Sequence, residues 1–397
     1  MRKYKLRELL TIKNGCDYRH LSTGSVPVYG SGGFMCFVNQ AMSNKPSILL
    51  PRKGTLNNIM FIDKPFWTVD TMYWSEIKED IVEPYYLYNY LKVLKFDGIR
   101  TGSTLPSMTS SAYYDIPVIL PDYNKQTRVA NILKLLNNKI ELNNKINQEL
   151  EQMAKILYDY WFVQFDFPDE KGRPYKSANG KMVYNEVLKR EIPEGWEVKP
   201  LKQIIKHINT GLNPRDNFVL GNGNIKYITV KNITENNLLD FKNCDTINLS
   251  AQHKVHNRSD IQIGDILFAS ITPLGRCYLI KDTPNDWDIN ESIFSIRPDV
   301  TQISSEYLLM SLTSEYFVKK AQNTATGSIF TGIRIKSLEN MPILLPPQNV
   351  LKAFTIQLEV LLEKKNICFK ENINLEKIRD FLLPLLMNGQ VTVSTER

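Results

Sequence analysis

The chain has 397 residues, of which 43% are hydrophobic and 23% are charged, and its formal net charge is +7. This length allows about two or three domains, and the composition is ordinary for a soluble globular protein. No apolar run approaches the ~20 residues of a membrane span, and the polar start is unlike a signal peptide. Five scattered cysteines fit free thiols in a reducing cytosol better than a disulfide framework. We therefore expect a cytoplasmic protein, whose modest positive charge permits a polyanionic partner without establishing one.

Residues 1–121 are predicted to form a first α+β module, which we call the first head. They contain short β-like runs, such as SILLP and IMFID, separated by Gly, Pro, Ser and Asn. Such punctuation is typical of strands joined by turns.

Residues 122–163 are predicted to form a long amphipathic helix, because the stretch 125–160 contains neither Gly nor Pro. Its apolar residues recur at alternating steps of three and four, which is the pattern of a coiled-coil seam. The predicted seam consists of Val129, Leu133, Leu136, Ile140, Asn143, Ile146, Leu150, Met153, Leu157 and Tyr160.

The next stretch, residues 164–195, is rich in Pro, Gly and charge and is interpreted as an ordered linker. A second head, residues 196–346, again has short β-like runs, such as IKYITV and GDILFAS, although its sequence otherwise differs greatly from the first. Residues 347–390 are predicted to form a second long helix, and residues 391–397 a C-terminal tail.

The two halves share a repeat with an offset of 225 residues. The stretch GSTLPSMTSSAYYDIPVILP, residues 102–121, aligns without gaps with GSIFTGIRIKSLENMPILLP, residues 327–346. The repeat continues into a second seam: Phe354, Leu358, Leu361, Lys365, Cys368, Glu371, Leu375, Ile378, Leu382 and Leu385. Only Lys365 and Glu371 interrupt its apolar pattern. An offset far longer than the ~20–50 residues of a solenoid unit indicates two copies of one head-plus-helix module.

The predicted fold is therefore α+β, with two α/β heads separated by two long helices that form an antiparallel coiled coil about a pseudo-twofold axis. Each helix spans about 35 residues, or roughly 50 Å. We expect the heads at opposite ends of this rod, a separation of about 15 base pairs of DNA.

Several segments resemble the specificity (S) subunit of type I DNA restriction-modification systems. In the first half they are VPVYGSGGF (26–34), LLPRKGTLNNIMF (49–61), PFWTVDTMYW (65–74) and LYDYWFVQFDFP (157–168). The junction NEVLKREIPEGWEVKPLKQI (185–204) is especially characteristic, and KYITVKNI, GDILFASITPLGRCYLI and LEKIRDFLLPLLMNGQV follow it. The resemblance covers essentially the full length, although the first head lacks the PEGWE stretch that precedes the second.

The resemblance implies a sequence-specific DNA-binding subunit without catalytic activity of its own. In that family each head is a target-recognition domain that reads half of a bipartite double-stranded DNA target. The helices set the gap and bind two methyltransferase (M) subunits, and restriction-translocase (R) subunits join them, so that adenine methylation or DNA cleavage is directed to the target. The resemblance places S-adenosylmethionine, ATP and Mg on these partner subunits, with no cofactor on this chain and no membrane partner.

The candidate DNA contacts are small, hydroxyl-bearing and cationic residues in predicted loops. Glycine lets backbone N–H groups approach a phosphate, arginine or lysine supplies charge or a bidentate contact to guanine, and small hydroxyls suit phosphates. In the first head the candidates are Tyr29, Ser31, Gly32, Arg52, Lys53, Gly54, Thr55, Ser103 and Thr104. In the second head they are Lys231, Ser270, Thr272, Arg276, Thr326, Ser328, Arg334 and Lys336. Ordinary turn and surface polar groups are the alternative explanation for both sets.

Enzyme and adaptor hypotheses stay open beside this one. Asp70, Glu76 and Lys78 match the carboxylate–carboxylate–lysine pattern of a metal-dependent nuclease, although E-x-K is common by chance. His253 and His256 could supply part of a zinc site, but no second Cys or His pair completes it. The sequence contains no P-loop, no HExxH, no GxGxxG after a strand and no amino-methyltransferase tetrapeptide. The last alternative is a coiled-coil adaptor that binds only proteins.

Overall fold

The computed structural model describes residues 1–94, 107–325, 332–391 and 393, which divide between two compact units. Unit 1 comprises Met1–Leu142 and Asn372–Arg397, and unit 2 comprises Asn143–Glu371. Each unit contains one head together with part of both long helices. No helix among the described residues is both long and apolar enough to cross a membrane.

In unit 1, the described part of the first head consists of short strands with three small helices. The strands are β1 (Arg2–Lys5), β2 (Leu10–Asn14), β3 (Val26–Gly30), β4 (Gly33–Val38), β5 (Ser47–Pro51), β6 (Met60–Ile62), β7 (Trp67–Thr68), β8 (Met72–Ile77) and β9 (Pro117–Leu120). The helices are α1 (Leu6–Leu9), α2 (Pro84–Val93) and α3 (Ser110–Tyr114). Helix α2 begins where the Glu83 carboxylate accepts a 2.6 Å hydrogen bond from the Tyr86 N–H, and Pro84 occupies its first turn.

In unit 2, the linker forms a hairpin of β10 (Met182–Asn185) and β11 (Arg190–Pro193). The strands of the second head are β12 (Glu197–Pro200), β13 (Ile205–Thr210), β14 (Ile225–Ile228), β15 (Asp245–Ile247), β16 (Ile266–Ala269), β17 (Cys277–Leu279), β18 (Trp287–Ile289), β19 (Ile293–Pro298) and β20 (Pro342–Leu345). The first long helix is α4 (Tyr123–Tyr158), and the helices of the second head are α5 (Leu249–Ser259), α6 (Ser305–Thr313), α7 (Glu315–Thr324) and α8 (Ile335–Glu339).

The two heads have the same strand order. In the first head the sheets are β2-β8-β5-β6, β4-β3-β7 and the pair β1-β9. In the second head they are β13-β19-β16-β17, β15-β14-β18 and the pair β12-β20. Each strand of the first head thus has a counterpart in the second whose number is eleven higher. The pairs β3/β7 and β14/β18 are the parallel ones in each head. The duplication predicted from the sequence is confirmed, and it includes the heads, whose sequences hide it.

One glycine in each head shows why the shared topology constrains the sequence. Gly15 follows β2 and lies against the turn that precedes β8. Gly211 follows β13 and lies against the turn that precedes β19. A Cβ atom on Gly15 would overlap the carbonyl oxygen of Val69, and one on Gly211 would overlap that of Ile289. Close backbone approach therefore requires glycine at both positions.

Each unit has its own core. In unit 1, the apolar side chains of Ile48, Leu50, Leu87, Leu133 and Leu386 are buried in one cluster, which joins the four-stranded sheet to α2 and the long helices.

In unit 2 the core centres on aromatic rings. The Phe162 ring centroid lies 4.7 Å from those of Tyr307 and Phe354 and 5.7 Å from that of Trp196. These residues come from the end of the first long helix, from α6, from the second long helix and from the start of the second head. Packed aromatic pairs of this kind contribute about 0.5–1.5 kcal/mol beyond their buried area.

The long helices are α4 (Tyr123–Tyr158), which continues into a π-helical turn (Asp159–Val163), and α9 (Gln348–Met387). In unit 1, Arg379 Nη1 donates to Asn137 Oδ1 at 2.9 Å, and Asn372 Nδ2 donates to the carbonyl oxygen of Ile140 at 3.4 Å. Residue numbers thus rise along one helix as they fall along the other, so the pair is antiparallel here.

In unit 2 the helices are also antiparallel, and the two residues that interrupt the predicted seam make polar contacts. Asn143 Nδ2 donates to Glu371 Oε2 at 2.8 Å. Lys365 is 7% exposed, and its ammonium donates to Glu151 Oε2 at 3.0 Å and to the carbonyl oxygen of Asn236. The predicted antiparallel pairing is therefore confirmed within each unit.

The predicted seam is wrong at three positions. Met153 and Ile378 are 53% and 48% exposed, and Tyr160 is also exposed, whereas their neighbours Ala154 and Trp161 are buried. An α-helix has 3.6 residues per turn, so a strict 3.5-residue repeat drifts by about 20° per heptad. The buried face has moved by one residue in the C-terminal half of each helix. The other predicted seam residues are buried or half-buried.

The Lys365–Glu151 pair generates a prediction about stability. Lys365→Ala should lower the free energy of unfolding by about 1–3 kcal/mol, because it leaves the half-buried Glu151 carboxylate without its cation. Urea unfolding followed by circular dichroism measures this, with the exposed neighbour Lys364→Ala as the control. The double variant Lys365→Met/Glu151→Leu should recover most of the loss. Equal stability of the two single alanine variants would contradict the prediction.

Candidate nucleic-acid interface

In the first head, loops converge on the turn between β7 and β8. This turn is closed by a 3.0 Å hydrogen bond from the Met72 N–H to the Val69 carbonyl oxygen. The Gly15 N–H donates to the carbonyl oxygen of Met72, the Ser31 N–H to Thr71 Oγ1, and the Arg52 N–H to the Thr71 carbonyl oxygen. We call residues 15–19, 29–34, 52–55 and 69–72 the first face.

Most of the predicted contacts of the first head lie together on this face. Asn58 Nδ2 donates to the Ser31 carbonyl oxygen at 2.9 Å, which ties the β3–β4 hairpin to the loop after β5. Gly54 has a φ of +85°, a conformation that favours glycine, and it lies beside the Ser31 side chain. Lys53 and Thr55 are exposed, and the Arg52 guanidinium lies 5.8 Å from the Tyr73 ring centroid. Two cations, two hydroxyls and a glycine loop thus share one surface.

The second head has the equivalent arrangement. Its turn is closed by a 3.3 Å hydrogen bond from the Ile293 N–H to the Asn290 carbonyl oxygen. The Ser270 N–H donates to the Ser292 carbonyl oxygen at 3.0 Å, as the Arg52 N–H does to Thr71. We call residues 211–215, 228–231, 270–276 and 290–293 the second face. Ser270 and Arg52 occupy equivalent positions at the ends of equivalent strands.

Two predicted contacts of the second head are used inside the head. Ser270 is 5% exposed, and its hydroxyl donates to the Ser292 carbonyl oxygen at 2.8 Å. Arg276 donates from Nη1 to the Ile233 carbonyl oxygen and from Nη2 to Glu235 Oε1, both at 3.0 Å. These polar groups hold loops, so the structure favours a structural role for both side chains.

The remaining predicted contacts divide between exposed, partly buried and undescribed positions. Lys231, Thr272, Arg334 and Lys336 are exposed, as is Gly32 in the first head. The half-buried Tyr29 holds β7 through its carbonyl oxygen, which accepts from Thr68 Oγ1 at 2.9 Å, and burial raises the pKa of its phenol. The predicted contacts outside the described residues are Ser103, Thr104, Thr326 and Ser328.

Sequence reasoning missed one segment of each face and a nearby apolar surface. Residues 15–19 and 211–215 read GCDYR and GLNPR, and their shared G-x-[D/N]-x-R pattern is a signal at an offset of 196 rather than 225. Phe34 and Phe37 of β4 are 54% and 51% exposed with ring centroids 4.9 Å apart. Their spacing in a short strand gave no periodic signal.

The residues of the nuclease hypothesis are not brought together. Asp70 lies in the turn before β8, whereas Glu76 lies near the far end of that strand and Lys78 lies beyond it. The extended segment from Met72 to Glu76 alone spans about 13 Å. Two oxygen atoms that bind the same metal ion must each lie within 2.0–2.6 Å of it, so these carboxylates are too far apart. Glu76 instead lies 3.6 Å from the ammonium of Lys13.

The zinc hypothesis also lacks a ligand set. His256 Nδ1 lies 3.2 Å from Asp288 Oδ2, and Cys244 Sγ donates to the Asp240 carbonyl oxygen. Burial raises the pKa of Cys244 to about 11, which disfavours the thiolate that binds zinc. In the part of the chain that the structure describes, no group of three or more His, Cys, Asp or Glu residues is placed to hold a metal ion.

The long helices expose apolar side chains at positions that the repeat makes equivalent. Leu135 and Val360 are 69% and 66% exposed, and Ile156 and Phe381 are 67% and 68% exposed; each pair is 225 residues apart. The first apolar set, in unit 1, is Leu135, Leu142, Ile378 and Phe381. The second apolar set, in unit 2, is Met153, Ile156, Val360 and Ile367. In unit 2 an open groove of about 390 Å³ is lined by Met153, Ile156, Leu157, Tyr160, Gln357 and Leu361.

Comparisons with known proteins match this chain to one protein family. A family model described as the type I restriction modification DNA specificity domain matches residues 1–152 and 193–377. The chain is 27% identical to the type I restriction enzyme MjaIX specificity subunit of Methanocaldococcus jannaschii, over 88% of this chain and 78% of that protein. It is 24% identical to the HindI specificity subunit of Haemophilus influenzae, over 80% and 79% of the two chains.

A solved structure shares the fold. The S subunit of a type I restriction-modification system from M. genitalium superimposes with a TM-score of 0.61 at 15% sequence identity. The match covers 97% of this chain and 95% of that one. The fold of this chain is therefore a known one.

Gly15, which packs against the turn of the first face, generates a second prediction. Gly15→Ala should lower the free energy of unfolding by about 1–3 kcal/mol, because the added methyl group overlaps the Val69 carbonyl oxygen. Gly32→Ala is the matched control, since no atom lies within 4 Å of its Cβ position. Urea unfolding of both variants measures the difference, and an unaffected Gly15→Ala variant would show that the turn does not pack as described.

Proposed function

Because the chain belongs to the type I restriction modification DNA specificity domain family, we propose that it recognises a bipartite DNA target and recruits the catalytic subunits of a restriction-modification enzyme. Specificity subunits are the non-catalytic recognition components of these systems, so this chain is a sequence-specific DNA-recognition component rather than an enzyme. The observation that supports the finer proposal is the presence of two heads with one topology and unlike faces.

The bipartite target rests on how the two faces differ. Arg52 and Lys53 on the first face are replaced by Ser270 and Ile271 on the second, at equivalent positions after equivalent strands. Two adjacent cations on the first face can contact bases or phosphates in a way that the second face does not repeat at this place. Each head is therefore assigned its own half-site, with the helix pair setting the gap between them.

The recruitment of two methyltransferase subunits rests on the two apolar sets. Their members occupy positions 225 residues apart and are exposed to nearly the same extent. Two docking sites for copies of the same partner would have this property. A groove between helices suits the apolar face of a partner helix. In this proposal the restriction-translocase subunits join the resulting core, and the assembly works in the cytoplasm to direct adenine methylation or cleavage.

The proposal assigns the chemistry to the partners. S-adenosylmethionine would bind to the methyltransferase subunits, and ATP and Mg²⁺ would be used by the partner subunits. This chain would bind double-stranded DNA and proteins, and no cofactor is assigned to it.

The half-site assignment predicts a one-sided effect of mutating the first face. Arg52→Ala/Lys53→Ala should weaken binding to the target by about 1–3 kcal/mol if one of them makes a bidentate base contact. Discrimination should be lost in one half-site only. Binding of the complex with M subunits to DNAs with either half-site randomised measures this.

The matched control for this experiment is Lys78→Ala. This exposed cation lies beyond the far end of β8 from the turn, so its removal should leave discrimination intact. Equal relaxation of both half-sites in the Arg52/Lys53 variant would contradict the assignment of one half-site to each head.

The docking assignment predicts a stepwise change of stoichiometry. Ile156→Asp and Phe381→Asp should each reduce the number of bound M subunits from two to one, and the double variant should bind none, because a buried carboxylate without a partner is unfavourable. Light scattering of the purified complexes measures the stoichiometry. Val187→Asp, at an exposed apolar residue of the linker hairpin, is the control that should still bind two. Two bound subunits in the double variant would exclude these sets as the docking sites.

A further inference from the structure

An exposed arginine occupies the same place in both heads. It ends the G-x-[D/N]-x-R segment that follows β2 in the first head and β13 in the second, so Arg19 and Arg215 are each four residues beyond the sterically required glycine. Because those glycines contact equivalent turns, the two segments are equivalent in the fold and not only in sequence.

The local structure presents each arginine outward. Asp17 Oδ1 accepts a 3.1 Å hydrogen bond from the Arg19 N–H, which shapes the turn, and the Arg19 side chain is 85% exposed. Its own contact with Asp17 is 3.5 Å long, and such exposed pairs contribute little. Both guanidinium groups are therefore available to an external anion: Arg215 is exposed, and within the described ranges it forms no ion pair.

The second head adds further positive charge around this segment. Lys254 of α5 donates to the Asn217 carbonyl oxygen at 3.1 Å, and Arg258 donates to Thr210 Oγ1 at 3.1 Å, just before Gly211. Lys254 and Arg258 of α5 thus flank the segment that contains Arg215. This cluster of positive charge favours the binding of a polyanion.

The contrast with the rest of the faces indicates what these arginines bind. Heads that read different half-sites must differ where they contact bases, and Arg52 and Lys53 have no cationic counterpart at the equivalent place of the second face. They can share residues only where the ligand is the same for both, and the part of DNA that every half-site shares is the phosphate backbone. A guanidinium group binds a phosphate through two parallel hydrogen bonds.

We propose that Arg19 and Arg215 are matched phosphate-contacting residues, one in each head, that hold the heads on the DNA backbone without regard to sequence. The inference rests on the proposed DNA recognition. It separates the residues of each face into a shared positioning segment and a variable reading segment.

The test compares DNA binding by the complex with M subunits for the wild type, Arg19→Ala, Arg215→Ala and the double variant, over a range of salt concentrations. The slope of log K against log salt should become shallower by about 0.9 for each arginine removed. Cognate DNA and DNA with either half-site randomised should lose affinity by the same factor, so the discrimination ratio stays unchanged.

Arg173→Ala provides the control, because this linker arginine is also exposed but pairs with Asp169, and its slope should equal that of the wild type. An unchanged slope in the double variant, or a changed discrimination ratio, would overturn the inference while leaving the proposed function intact. Failure of the wild-type complex to prefer any DNA sequence would instead overturn the proposed function. Binding of two M subunits by every variant confirms that each is folded.

Discussion

Polar side chains join the two long helices across their buried seam in both units, and the register of the helix pair depends on these contacts. The side chains of Lys365, Asn143 and Arg379 donate hydrogen bonds to those of Glu151, Glu371 and Asn137, respectively. A register shift of one residue would bury several of these groups without partners, at a cost of several kcal/mol. The polar contacts therefore specify one antiparallel register, whereas a purely apolar seam would tolerate several.

The sequence allowed the helices and the duplication to be predicted because their signals are local. A gap-free offset of 225 and a regular spacing of apolar residues place both helices close to their observed bounds. The same reasoning failed at Met153 and Ile378, because a straight helix does not keep a 3.5-residue period over its whole length. The common strand order of the heads was not predictable from the sequence, since it arises from pairings such as β2 with β8 that join residues far apart in the chain.

The candidate site was predictable in part for a similar reason. Ser31, Arg52 and Lys53 were recognisable as loop residues with suitable chemistry, and the structure brings them to one face. Ser270 has the same chemistry in sequence but is buried, because its hydroxyl donates to the carbonyl oxygen of Ser292, which only the folded sheet brings beside it. The shared glycine and arginine escaped notice because the loops between equivalent strands differ in length. Offsets of 196 near the start of the heads and 225 at their ends cannot appear in one gap-free comparison.

In the antiparallel pairs β1-β9 and β12-β20, the first and last strands of each head lie side by side. In the second head, the strand that follows the linker lies directly beside the strand that leads to α9, so the chain enters and leaves this head at nearly the same place. A different head with the same paired strands would meet the helix at the same place and in the same direction. In evolutionary terms, one crossover on each side of the second head would exchange that head, while helix contacts such as Arg379–Asn137 and Asn143–Glu371 would stay within the retained helices.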